Sequence, residues 1–144
     1  MILKLLLVFL GGGLGSLGRY SIGQLTTRLT PSNIDASDTA YWLDLYPLAT
    51  MLVNIIGCAL IGFAMAWAIA KDQSHSSLML FLVVGVLGGF TTFSSFGWET
   101  LELIQNQRLG LALIYVLLSL LLGLIGVFGG YTFGTFAFGQ GAAS

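Results

Sequence analysis

Residues 88–99 read GGFTTFSSFGWE and lie within a strongly apolar stretch. Four hydroxyls, Thr91, Thr92, Ser94 and Ser95, follow two glycines at a depth where lipid is expected. Irregular backbone is tolerated there only when it is buried in protein or lines a cavity. Two readings fit. Either the helix is continuous and the hydroxyls bond back to its own carbonyls, or it breaks near Thr91 and frees carbonyls able to hold a cation. Phe93 and Phe96 are three residues apart and share a helix face. They are core or lipid-facing rings, or rings whose positive edges offer a small anion weak, dry stabilisation. Weak stabilisation suits conduction, which needs a site that binds without trapping.

Other polar residues could extend such a path. Asn54 stands in TMLVNIIGCALIG and needs hydrogen-bond partners, as helix–helix glue or as a donor facing an anion. Arg19 lies 15 residues after Lys4, roughly 22 Å at helical rise. It either snorkels to the interface or sits in a water-filled vestibule that attracts anions. Tyr115 and Ser119 share a face of an otherwise apolar segment, as two singly satisfied hydroxyls or as a polar track. Glu99 reads as an interface anchor or a group at a pore mouth. GLGSLG at 13–18 matches a dinucleotide fingerprint, with Asp38 at the right spacing. No soluble βαβ unit can be built from this composition, so those glycines read as helix-packing positions.

The elements that must position these groups are membrane helices. Apolar residues make up 56% of the 144 and charged residues only 8%, against roughly 25% charged in soluble domains. Four segments reach the roughly 20 apolar residues a span requires: approximately 2–25, 47–70, 78–104 and 109–136. They form a single four-helix domain with a surface loop at 28–46, whose Tyr41, Trp42 and Tyr46 suit the headgroup level. The N-terminal apolar run has no A-x-A-like cleavage site and reads as an uncleaved first span. Net charge is −1 with no basic run, so nucleic acid is not an expected partner. One cysteine and one histidine build neither a disulfide framework nor a zinc site.

Lys4 and Lys71 fall on one side of the membrane, Arg28 and Arg108 on the other. That balance gives the positive-inside rule little purchase. It reads as a weak bias resolved during insertion, or as a chain that inserts both ways up. Opposite orientations suggest an antiparallel dimer with a pore between subunits. Gly11/Gly15, Gly85/Gly89 and Gly126/Gly130 could serve that interface or pack helices within one subunit.

Together these residues resemble the Fluc family of fluoride channels, also called CrcB proteins. GGLGSLGRY at 12–20, TMLVNIIGCALIGF at 50–63 and GGFTTFSSF at 88–96 are similar to its three signatures, in order. The resemblance implies an all-α membrane protein whose third helix is broken near its middle, assembled as an antiparallel dual-topology homodimer with two pores. It implies passive, fluoride-selective export across the bacterial plasma (inner) membrane, lowering fluoride toxicity. Asn54, Phe93 and Phe96 are expected to contact fluoride. Thr92, Ser95, Tyr115 and Ser119 should line its hydroxyl-rich course, with Arg19 in the vestibule. Thr50, at the head of the second signature, and Glu99 complete the expected pathway. Main-chain carbonyls of Gly88 and Thr91 are expected to hold a structural Na⁺ at the dimer centre. Two departures stand out: position 123 is glycine where a longer track carries a hydroxyl, and the 28–46 loop is longer than usual. Rival readings are a small dual-topology multidrug transporter, which would want an intramembrane carboxylate, and a structural subunit of a membrane complex. No nucleophile–base pair or metal-ligand set points to an enzyme.

Overall fold

The computed structural model describes residues 1–29 and 47–139. Most of the expected 28–46 loop, with its interfacial aromatics and Asp38, lies outside the described residues. The elements are α1 (Ile2–Leu29), α2 (Leu48–Ala70), α3 (residues 77–90), α4 (Phe93–Gln105) and α5 (Leu109–Phe138). α3 is made of Ser77–Met79, a π-helical run Leu80–Leu87, and Gly88–Phe90. Among the described residues the regular structure is entirely helical. Four stretches among them are long and apolar enough to cross a membrane: Ile2–Thr26, Leu48–Ala70, Ser77–Gln105 and Leu109–Phe138. The protein is a multi-pass membrane protein.

The third span is interrupted at its midpoint. α3 stops at Phe90, and the chain runs extended through Thr91 (φ −74°, ψ 157°) and Thr92 (φ −149°, ψ 118°) before α4 begins. Just upstream, the π-helical run already departs from the ordinary hydrogen-bond register, as such segments often do near functional sites. The short links at the other ends turn sharply. Asp72 (φ 52°) and Gln107 (φ 59°) take the left-handed conformation. The following amides, Gln73 and Arg108, reach back to the carbonyls of Ala68 (2.7 Å) and Leu103 (2.8 Å), closing α2 and α4.

The helices pair as α1 with α3 and α2 with α5, and glycines set both contacts. A Cβ on Gly15 would stand 2.0 Å from the Val86 carbonyl oxygen and 2.7 Å from the Phe90 nitrogen. A Cβ on Gly130 would stand 2.0 Å from the Ala59 carbonyl oxygen. Gly11, Gly85, Gly89 and Gly126 are likewise seated against neighbouring helices of the same chain. These glycines therefore pack helices within one subunit. In the GLGSLG segment, Gly13 faces open space and Gly15 the α1–α3 contact, both inside a continuous helix. Gly57 opens the α2 surface beneath the break, since a Cβ there would meet the Thr91 methyl at 2.2 Å.

Candidate functional site

Breaking a helix at mid-membrane leaves backbone groups that must find partners, because an unpaired one in hydrocarbon costs several kcal/mol. Asn54, on α2, answers part of that demand. Its Nδ2 donates to the Thr92 carbonyl at 3.0 Å, and the Thr92 amide donates to its Oδ1 at 2.8 Å. The side-chain amide thus pairs with the Thr92 peptide much as a neighbouring strand would. The Thr92 hydroxyl caps α4 by accepting from the Ser95 amide at 3.1 Å, and it donates to Ser95 Oγ at 3.1 Å. Thr92 and Ser94 hydroxyls also lie 3.2 Å apart. On the upstream side, the Thr91 amide and hydroxyl both donate to the Leu87 carbonyl, each at 3.0 Å.

The break leaves the carbonyls of Gly88, Gly89, Phe90 and Thr91 without their helical donors, those of Gly88 and Thr91 among them because their donors are bound elsewhere. In an unbroken helix the Thr92 amide would bond the Gly88 carbonyl and the Ser95 amide the Thr91 carbonyl. Here the first goes to Asn54 and the second to the Thr92 side chain. Uncharged carbonyl oxygens of this kind are the donor set a hard monovalent cation prefers.

Nearer the α4 C-terminus, Glu99 is buried at 8% exposure. Thr50 donates to its Oε1 at 2.6 Å and Tyr115 to its Oε2 at 2.6 Å. The hydroxyl protons of Thr50 and Tyr115 are therefore committed to the carboxylate. Glu99 also ties three helices together, and Tyr115 passes that order to the rings. Tyr115 packs on Phe96 (centroids 5.2 Å), and Phe96 packs on Phe93 (5.5 Å). Phe96 is half-buried, whereas Phe93 is 81% exposed and projects from the chain.

Two concavities meet at this layer. A vestibule of about 360 Å³ between α1 and α2 is lined by Ser16, Arg19, Gln24, Thr50, Val53 and Ser95, among others. A groove of about 380 Å³ carries Asn54, Gly88, Thr91, Thr92, Phe93, Phe96 and Ser119 within a mostly apolar wall. Ser95 lines the vestibule and its partner Thr92 lines the groove, so one hydrogen-bonded hydroxyl pair spans both. The groove also shares Val83 with a third hollow of about 300 Å³ lined by Lys4 and His75. Ser119 lines the groove, and its Oγ, like Glu102 Oε2 on α4, is buried with no hydrogen-bond partner among the described residues.

Thus Asn54, Thr92, Phe93, Phe96, Ser119, Gly88 and Thr91 come together on the groove, while Arg19, Thr50 and Ser95 line the vestibule. Tyr115 and Glu99 form a buried cluster with Thr50. Sequence reasoning passed over Ser16, whose hydroxyl reaches the Gly89 carbonyl at 3.4 Å, and Cys58, which lines the groove beside Gly123. Cys58 is four residues after Asn54, a helical spacing that could have flagged it.

Comparisons with known proteins assign the chain to a family. The profile of the family described as CrcB-like protein, Camphor Resistance (CrcB), matches residues 6–131. A Dehalococcoides mccartyi protein named fluoride-specific ion channel FluC is 36% identical over 132 residues, 92% of each chain. A protein of the same name from Thermus thermophilus is 44% identical over 131 residues, 91% of this chain and 94% of its own. One from Helicobacter pylori is 45% identical over 118 residues, 82% of each. The chain belongs to the CrcB-like family.

Proposed function

We propose that this protein is a passive, fluoride-selective channel of the bacterial inner membrane, exporting cytoplasmic fluoride and so lowering its toxicity. The observation that carries the reading is near-full-length similarity to proteins named fluoride-specific ion channel. The chain's own chemistry supports it. Arg19 gives the vestibule the positive charge that draws an anion inward. Ser95 and Thr92 offer hydroxyls where water is lost. The phenyl edges of Phe93 and Phe96 and the Ser119 hydroxyl, which has no partner among the described residues, provide weak contacts beyond. A transporter exchanging cations would need an available membrane carboxylate, and Glu99 is held by two hydroxyls.

The working unit in this proposal is an antiparallel, dual-topology homodimer. The exposed Phe93 and the open apolar side of the groove suit cover by a second copy. The Gly88 and Thr91 carbonyls, contributed by both copies, would hold a Na⁺ that fixes the breaks against one another. Adding lysines within 72–77 should force one orientation and abolish flux unless an oppositely biased variant is co-expressed. Normal flux from the one-way variant alone would contradict the dimer. Replacing Na⁺ by a large organic cation should lower flux, and indifference to the cation would remove the Na⁺ site. The function itself is tested by ion-selective-electrode efflux from liposomes holding only the purified protein. Rapid fluoride release with chloride retained is expected; fluoride retention by liposomes carrying folded protein would overturn the reading.

A further inference from the structure

The groove takes residues from two facing helices at four-residue steps. From α5 come Ser119 and then position 123, which is glycine; from α2 come Asn54 and then Cys58. Tyr115, one step before Ser119, is buried against Glu99 instead. Each step advances about 6 Å along its helix. Beyond Ser119 the series on α5 stops, and the remaining wall there is hydrocarbon from Ile61, Leu120, Leu124 and Val127. An anion leaving the Ser119 hydroxyl in that direction would meet no donor on α5.

The missing group stands on the other wall. Cys58 is half-buried and lines the groove together with Ser119 and Gly123. A Cβ built on Gly123 would lie 3.6 Å from Cys58 Sγ, an ordinary van der Waals contact. Gly123 thus leaves open the space that a side chain would fill, and the thiol borders that space. Independently, the buried Ser119 oxygen has no partner among the described residues. A buried hydroxyl left unsatisfied costs about 1–3 kcal/mol, and this one belongs to a residue that lines the same groove as Cys58.

We propose that Cys58 supplies the anion-binding step next after Ser119, its S–H standing in for the hydroxyl that position 123 lacks. This rests on the channel reading above. A thiol is a weak, uncharged donor, so it steadies a small, partly dehydrated anion without holding it. Ser119 and Cys58 then form one subsite across the α2–α5 seam, with Gly123 as its floor. No bond is made or broken, and the thiol keeps its proton throughout.

The test is fluoride efflux per folded protein, in liposomes, for wild type, Cys58→Ala, Cys58→Ser and the double variant Cys58→Ala/Gly123→Thr. Losing one hydrogen bond to a charged ligand predicts a fall of about tenfold in Cys58→Ala. Serine at 58, or a hydroxyl moved to the opposite wall at 123, should restore most of the loss. If Cys58→Ala does not fold, Cys58→Val keeps the site filled without a donor and carries the comparison. Flux in Cys58→Ala or Cys58→Val equal to wild type would overturn the subsite and leave the channel standing. A loss that neither hydroxyl variant repairs would also overturn it, because the thiol would then serve packing alone. Wild type that passes no fluoride would overturn the channel reading and the subsite together. Because Cys58 is the only cysteine, a small methanethiosulfonate reagent gives a second readout on the unmutated protein. Modification should block flux and proceed more slowly in fluoride; full modification with flux unchanged would count against the subsite.

Discussion

The break at Thr91–Thr92 and the α5 wall across the groove are both polar features at mid-membrane depth, yet they are opposites. At the break, Asn54 pairs with the Thr92 peptide in both directions, and the Thr92 side chain takes up the Ser95 amide. On the α5 wall, Ser119 is buried with no partner among the described residues. The contrast separates polar groups that hold the architecture from those left open for a ligand. Satisfied groups rigidify a site, and an unsatisfied one in a groove is open to a water or an ion.

The sharpest way to break the comparison is to move the walls apart. Gly130→Ala drives a methyl against the Ala59 carbonyl oxygen on α2, and backbone cannot step aside as a side-chain tip can. Overpacking of this kind costs about 1–3 kcal/mol or more. The expected outcome is little folded protein, read by size-exclusion chromatography and thermal unfolding in detergent. Gly129 meets nothing within 4 Å, so Gly129→Ala should fold well and gain roughly 0.5–1 kcal/mol of helix stability.

Asn54→Leu removes the clamp while keeping an apolar side chain on α2. The Thr92 amide then loses its partner, and its carbonyl is left with the first helical bond of α4 alone. With the amide orphaned, at about 1–3 kcal/mol, and the second bond to the carbonyl lost as well, unfolding stability should drop by more than any single hydroxyl change at the break would lower it. A variant that unfolds like wild type in denaturant would show that the clamp is not structural.

The two phenylalanines sharpen the comparison further. Phe96 packs on Tyr115, whereas Phe93 is largely exposed in the single chain. Phe96→Leu should therefore cost stability, about 1–3 kcal/mol, as well as flux. Phe93→Leu should leave the stability of the single chain nearly unchanged and reduce fluoride efflux. Equal stability losses in both variants would contradict the division drawn between packed and projecting rings.

Much of the scaffold was legible because hydropathy and length mark the spans directly, and paired glycines beside clustered hydroxyls flagged the interruption at Thr91. The π-helical run was not. Leu80–Leu87 is uniformly apolar, and nothing local distinguishes its hydrogen-bond register from that of an α-helix. Nor could the sequence reveal that Asn54 would pair with Thr92, 38 residues away. Glu99 reads as a group near a wet helix end, and only the approach of Thr50 and Tyr115 from two other helices buries it. The paired glycines left two readings open; the close approaches of Gly15 to Val86 and Gly130 to Ala59 assign those positions to packing within the chain. The groove's far end depends on Cys58 standing opposite an absent side chain, a relation between two helices that no spacing along one of them conveys.

Ser119→Ala tests the central distinction most directly, with stability and fluoride flux measured on the same purified preparation. If Ser119 is held open for the ion, deleting its unpartnered oxygen should leave the protein as stable as before, or more stable by about 1 kcal/mol. Fluoride efflux should fall in the same sample. A less stable variant that conducts fluoride at the wild-type rate would mean that the hydroxyl is structural and that the open wall is no part of the ion's path.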